Sequence, residues 1–245
     1  MNKIISICFA ILLSFSAFSQ NERNKVNVSS GDTLNYALSM GMQYIYPEFV
    51  EGTVYFDDRS RSKSFLNYNI LVDEIHFINA DDLDYDNIKS EKDFLKIAKK
   101  LNLKGVDFVI IGQDIFFNTK SGIMRLIANY DVKLLQKNKV VLTNETRRGA
   151  YGQPIQTASI EQKSSFEDSR SGQVNLSTET VNEYSRQIKY YLYEDGKITP
   201  ATKRRFERTF RGLKSEIGEF VDAENIDFSN QADLKKLLMY CIDNS

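Results

Sequence analysis

The chain has 245 residues, 42% of them hydrophobic, and a formal net charge of −1 at pH 7. A balance so near zero supplies no basic field for nucleic acid and no general attraction to an anionic surface, which excludes nucleic acid as a partner class. The 16 Phe and 13 Tyr against only 2 Cys mean that burial must hold the fold, and the length fits one domain or one domain with a small appendage.

Residues 1–19 read as a cleavable signal peptide. Lys3 supplies the positive start, Ile4 to Phe15 is apolar, and Ala17-Phe18-Ser19 is a small-x-small cleavage site. Cleavage would remove Lys3 and Cys8 and leave a charge of about −2, with Cys241 alone and no internal disulfide. No later apolar stretch approaches the roughly 20 residues that span a bilayer. The mature chain is therefore expected to be exported, periplasmic or secreted, and not membrane-spanning. Segment 20–43 follows as a loose polar N-terminal tail.

Segment 44–146 is expected to be an antiparallel β domain with one inserted helix. Phe49 to Phe56 interleaves β-formers, the polar turn DDRSRS follows, and Phe65 to Ile78 repeats apolar residues at spacing two. Gly105 to Thr119 splits at Gln113-Asp114 as a hairpin. Met124 to Thr143 supplies two more runs, divided by QKNK at 136–139, which reads as a polar turn. The pattern gives roughly seven or eight short strands. The inserted helix starts at Ser90 and repeats Phe94, Ile97, Ala98 and Leu101 before Gly105 closes it.

Segment 147–182, rich in Ser, Thr and Gln, reads as a flexible loop, either working or disordered. Segment 183–245 is expected to hold a β-hairpin and C-terminal helices. Thr199 would cap with Pro200 at the first helical position. Phe206, Phe210, Leu213, Ile217 and Phe220 then form one stripe with a break near Gly212. Ser229 or Asn230 starts the last helix, whose face carries Leu234, Leu237, Leu238 and Cys241. The expected fold class is α+β, mainly β: an antiparallel meander, barrel or sandwich, with C-terminal helices packed on it.

YPEFVEGTVYF at 46–56, LNYNILVDEIHFI at 66–78, RRGAYGQPIQTASI at 147–160 and EIGEFVDAENIDFSNQADLKKLLMYC at 216–241 together resemble a family of exported proteins of Bacteroidetes-type bacteria with no assigned activity. The resemblance implies a secreted or periplasmic β-rich protein with C-terminal helices and brings no catalytic residues. Asp32-Thr33-Leu34 resembles the short motif at which such bacteria O-glycosylate exported proteins.

Asp82, Asp84 and Asp86 stand at positions 1, 3 and 5 of a calcium-loop pattern. Position 6 is Asn87 where glycine is wanted, and position 12 is Asp93 where the longer Glu would grip the ion with both oxygens. A solvated acidic loop is the better reading. His76, the single histidine, sits in a strand; one histidine makes no metal cluster, and no G-x-S-x-G nucleophile accompanies it. It is expected to be a surface or hydrogen-bonded structural residue. Cys241 belongs to a helical apolar stripe and is expected in the core. Lys203, Arg204, Arg205, Arg208, Arg211 and Lys214 make a basic side on the first C-terminal helix, either an ordinary solvated face or a contact for an anion or partner protein. Tyr44, Tyr46, Phe49, Tyr55, Phe56, Tyr68 and Phe77 are core residues or, in a barrel, cavity lining. No catalytic, cofactor-binding or metal-binding residue is assigned, and no cofactor is expected. The expected function is a non-enzymatic envelope binding or interaction module whose partner is an envelope protein or glycan. The alternative is a small-ligand or glycan-binding β-barrel, with a hydrolase third.

Overall fold

The computed structural model describes residues 23–28, 39–82, 90–147 and 180–245. Among the described residues eleven strands form one antiparallel sheet: β1 (Arg23–Val28), β2 (Val50–Phe56), β3 (Arg61–Asn69), β4 (Glu74–Ile78), β5 (Lys99–Lys100), β6 (Val106–Ile111), β7 (Asp114–Thr119), β8 (Gly122–Ala128), β9 (Lys133–Arg147), β10 (Thr180–Glu194) and β11 (Lys197–Pro200). Five α-helices among the described residues accompany them: α1 (Met40–Gln43), α2 (Glu91–Ile97), α3 (Lys203–Thr209), α4 (Lys214–Ala223) and α5 (Gln231–Asp243). The spatial order is β1-β10-β9-β8-β7-β6-β2-β3-β4-β5, with β11 also on β10. The mainly β, antiparallel class with C-terminal helices is the observed one. The sheet is open, with β1 and β5 at its ends, and is not closed into a barrel.

Five local expectations are corrected. The inserted helix ends at Ile97 rather than running through Leu101, because Lys99–Lys100 pairs with β4 as strand β5. Part of the expected tail is a strand, since Arg23–Val28 pairs antiparallel with Thr180–Ser185. Arg147 and 180–182, expected in the flexible loop, are strand positions of β9 and β10. QKNK is no turn, because β9 runs straight through 136–139 and the chain reverses at 129–132 instead. Thr199 and Pro200 close β11, and the helix starts later, with Thr202 as the cap accepting from Arg205 N at 3.3 Å. Pro200 is tolerated there because β11 is an edge strand. The leader expected at 1–19, Asp32-Thr33-Leu34, and residues 148–179 of the expected loop lie outside the described residues. No helix among the described residues is long and apolar enough to cross a membrane.

Burial falls into two clusters. The first gathers Val54, Leu66, Tyr68, Ile75, Val109, Ile111, Phe116, Ile123 and Val140 from β2 to β9. The second joins Val132, Leu134, Tyr190 and Leu192 of the long strands to Phe206, Ile217, Val221, Leu234, Leu237, Leu238 and Cys241 of the helices. Along β9 the two are separated by Gln136 and Asn138, which are 3% and 2% exposed. Arg125, opposite Gln136 in the β8–β9 register, spans this polar seam. It donates to Asp114 Oδ2 at 3.1 Å, to Gln136 Oε1 at 2.7 Å and to Gln231 Oε1 of α5 at 3.0 Å. Gln136 passes the chain on to Asn138 Oδ1 at 3.2 Å. A row of polar residues thus stitches the helical layer to the sheet where apolar packing stops.

Candidate functional site

Three polar clusters stand out, and two of them are framework. The first surrounds His76. Tyr44 Oη lies 2.7 Å from His76 Nδ1, and His76 Nε2 lies 3.2 Å from Glu74 Oε2. The hydroxyl donating to Nδ1 leaves Nε2–H to donate to Glu74, and Lys100 closes the row on Glu74. Burial pushes the Tyr44 hydroxyl up to about 12, and its side chain is only 2% exposed. Both ring nitrogens of His76 are therefore engaged by structural partners, which is the hydrogen-bonded role expected of it. The acid beside it is held ionised. Donation from His76, with Lys100 adding to it, keeps the Glu74 carboxyl below its ordinary range against the opposing effect of burial.

That shift has a measurable sign. A carboxyl lowered in the folded state adds stability above its unfolded value, near 4.3, and loses it as pH falls through the lower folded value. The urea midpoint is expected to fall as pH drops from about 5 toward 3. In Glu74→Gln this acid limb should flatten; an unchanged pH slope would remove Glu74 from the account.

The second cluster centres on Asp73, which takes the left-handed backbone at φ 57° in the β3–β4 turn. Its carboxylate accepts from Tyr68 Oη at 2.7 Å, from Ile123 N at 3.3 Å and from Lys137 Nζ at 2.6 Å. Burial, followed by the neighbouring Asp73 charge, raises the Tyr68 hydroxyl far above its usual range. The opposing Lys137 ammonium is lowered chiefly by burial.

The third cluster is open to solvent and underused by the fold. The β10–β11 hairpin turns on Asp195 and Gly196, both with positive φ, 48° and 75°, the two-residue arrangement that matches strand twist. Chain from Pro200 then enters α3, where Phe206 is fully buried in the second core. Anchoring by Phe206 turns Arg204 and Arg208 outward on the opposite side. The helix stops at Phe210, whose φ of −107° and ψ of 64° leave the helical region, and a short 3₁₀ turn at Arg211–Leu213 leads into α4.

Two clefts result. One, about 450 Å³, is lined by Glu194, Asp195, Lys197, Arg205, Arg208, Thr209 and Arg211. Its neighbour, about 410 Å³, is lined by Arg204, Glu207, Arg208, Arg211 and Lys214. Arg208 and Arg211 form the ridge common to both. Glu194 is already committed, accepting from Arg205 at 2.7 Å and from Thr209 Oγ1 at 3.2 Å. Lys197, Arg204, Arg208, Arg211 and Lys214 have no ion-pair partner among the described residues. From Glu194 to Lys214 the chain carries seven Lys or Arg against three Asp or Glu, although the whole is almost neutral. Arginine presents a planar fork suited to carboxylate, sulfate and phosphate oxygens.

No family model, curated protein or solved structure matches the chain. The geometry therefore stands by itself.

The remaining sequence candidates are dispersed. Asp82 accepts from Lys99 at 2.8 Å and Asn79 at 3.1 Å, while Asp84 and Asp86 lie outside the described residues. Asp93 takes the Ser90 hydroxyl at 2.8 Å, joining cap and first turn of α2. No group of three or more potential metal ligands is found among the described residues. Cys241 is fully buried in the second core, and burial pushes its thiol up to about 12. Of the interleaved aromatics, Tyr44 and Tyr68 are buried, and Tyr46, Phe56 and Phe77 pack against the first core. Phe49 sits 5.4 Å from Tyr44, and Tyr55 stacks on Phe108 at 4.4 Å. Sequence reading named the basic residues of α3 and expected a β-hairpin in 183–245, but not that the hairpin's Glu194 and Asp195 line a cleft beside them. The two-residue Asp195-Gly196 turn is the sequence signal from which that position could be read.

Proposed function

We propose that this protein is an exported, non-enzymatic binding module of the cell envelope whose paired basic clefts on α3 hold an anionic partner. The observation that carries the reading is the set of five unpaired cations around two adjoining clefts in a chain of net charge −1. Elsewhere an exposed cation is matched by an acid across two helices, as Lys236 is by Glu224, whereas Glu207, three and four residues from Arg204 and Arg211, pairs with neither among the described residues. Here Glu194 is withdrawn into a pair with Arg205, and the other cations face solvent together. Export belongs to the same proposal and rests on the 1–19 leader pattern and the resemblance to exported proteins. A barrel holding a small ligand among the aromatics loses support, since the sheet is open and those rings pack against the core. A hydrolase at His76 gains none from a ring whose two nitrogens are taken by Tyr44 and Glu74.

The test is retention of the purified chain on an immobilised acidic glycan fraction, set against a neutral one, across a salt gradient. Retention on the acidic matrix alone, lost by about 0.5 M salt, is expected because exposed charge interactions are screened within a few ångströms there. Arg208→Glu with Arg211→Glu should weaken binding more than about tenfold. Equal retention of the double variant, or equal retention on the neutral matrix, would defeat the reading.

A further inference from the structure

We infer that the clefts take one extended acidic polysaccharide, carrying sulfate or carboxylate groups along its chain, that straddles the Arg208–Arg211 ridge with an anionic group on each side. This rests on the anion-binding reading above and goes further by fixing the ligand's class and valence. The reason lies in the shared wall. Arg208 and Arg211 line both clefts, so each guanidinium, with its several donors, can face an anion on either flank. Lys197 serves the hairpin side alone, whereas Arg204 and Lys214 serve the far side alone. A single small anion would use one flank and leave the other cations unmatched. Two anionic groups joined by a chain fill both flanks, and the second binds at the high effective concentration set by the link.

The lining decides between kinds of chain. Thr209 is the one uncharged residue among those that bound the two clefts. With no aromatic or aliphatic wall, they offer an acidic peptide no pocket for the apolar anchors that dominate protein interfaces. A neutral sugar chain finds no ring to stack on, while a sugar chain with regularly spaced acid groups needs only charge and donors. Both clefts are open to solvent on their own side of the shared Arg208–Arg211 wall, so a chain can enter and leave without a closed end.

The experiment titrates the full chain by calorimetry at low salt with inorganic sulfate, a sulfated disaccharide, a sulfated octasaccharide, its desulfated counterpart, and a glutamate peptide of matching charge. Binding that tightens at least about tenfold from disaccharide to octasaccharide is the expected result. It should vanish for the desulfated chain, weaken more than tenfold in Arg208→Gln, and change less than twofold in Lys235→Gln, a like-sized charge loss on α5. An unchanged unfolding midpoint in both variants confirms that charge, not folding, is what was altered. Equal affinity for disaccharide and octasaccharide overturns the straddling arrangement while leaving anion binding intact. Tighter binding of the peptide overturns the glycan assignment. Failure of every anion to bind overturns the inference together with the function it rests on.

Discussion

Asp73→Ala is expected to lower unfolding stability by about 3–4 kcal/mol, read as a drop in urea midpoint at pH 7 with little change in slope. Three losses combine. The Lys137 side chain is 14% exposed, so removing its carboxylate strands an ammonium largely shielded from water. A fully buried broken pair costs about 3–5 kcal/mol. Asp73 itself is 39% exposed, so water reaches the freed site and the pair's share is discounted to about 2 kcal/mol. Tyr68 Oη and Ile123 N also lose an acceptor. Alanine at φ 57° adds about 1 kcal/mol that aspartate tolerates more easily. Asp73→Asn keeps the backbone preference and an acceptor oxygen, so it should cost about half as much. Adding Lys137→Met to it should recover part of that half, because an apolar chain in the same place strands no charge. If Asp73→Ala were near neutral, the cluster would be surface decoration. Gly122 argues otherwise: at φ 92° its site would put a Cβ 2.0 Å from Asp73 Oδ2 and 2.3 Å from Lys137 Nζ.

That same Lys137 marks where the sequence stops being legible. Strand periodicity located β2, β6, β7 and β8 because alternating apolar residues meet one buried face. Helical spacing located α4 and α5, and Asn230 caps the latter by accepting from Ala232 N and Asp233 N. At 136–139 the hydrophobic signal vanishes, and four consecutive polar residues look like a reversal. In the fold Gln136 and Asn138 are buried as polar links, and Lys137 is neutralised by a residue 64 positions earlier. Local patterning cannot see a partner supplied by tertiary structure. The basic face of α3 was legible as composition. Its clefts were not, because they depend on a helix break at Phe210 and on a hairpin that pairs Glu194 with Arg205. The start of α3 was misplaced for a related reason: Thr-Pro is a strong helix opening, yet pairing with β10 claims both residues first.

Phe206→Ala tests whether the clefts depend on the core beneath them. Phe206 is fully buried and meets Phe228 at 6.4 Å between ring centroids. Truncation at such a site costs about 3–5 kcal/mol, the transfer term plus the cavity left behind. Phe206→Leu, which keeps most of the volume, should cost less than about 1.5 kcal/mol. The informative reading is anion affinity at a temperature where each variant is still folded. α3 has only seven residues, too few to hold its shape without tertiary support. Its hold on the sheet comes from Phe206 below and the Arg205–Glu194 pair at the side. A cavity under Phe206 lets the helix shift, separating Arg208 from Lys197 across the hairpin cleft. Affinity in folded Phe206→Ala should therefore fall several-fold, with Phe206→Leu close to the parent. Stability lost without affinity lost would mean that the cations act as loose charges, and that the paired clefts are incidental to binding.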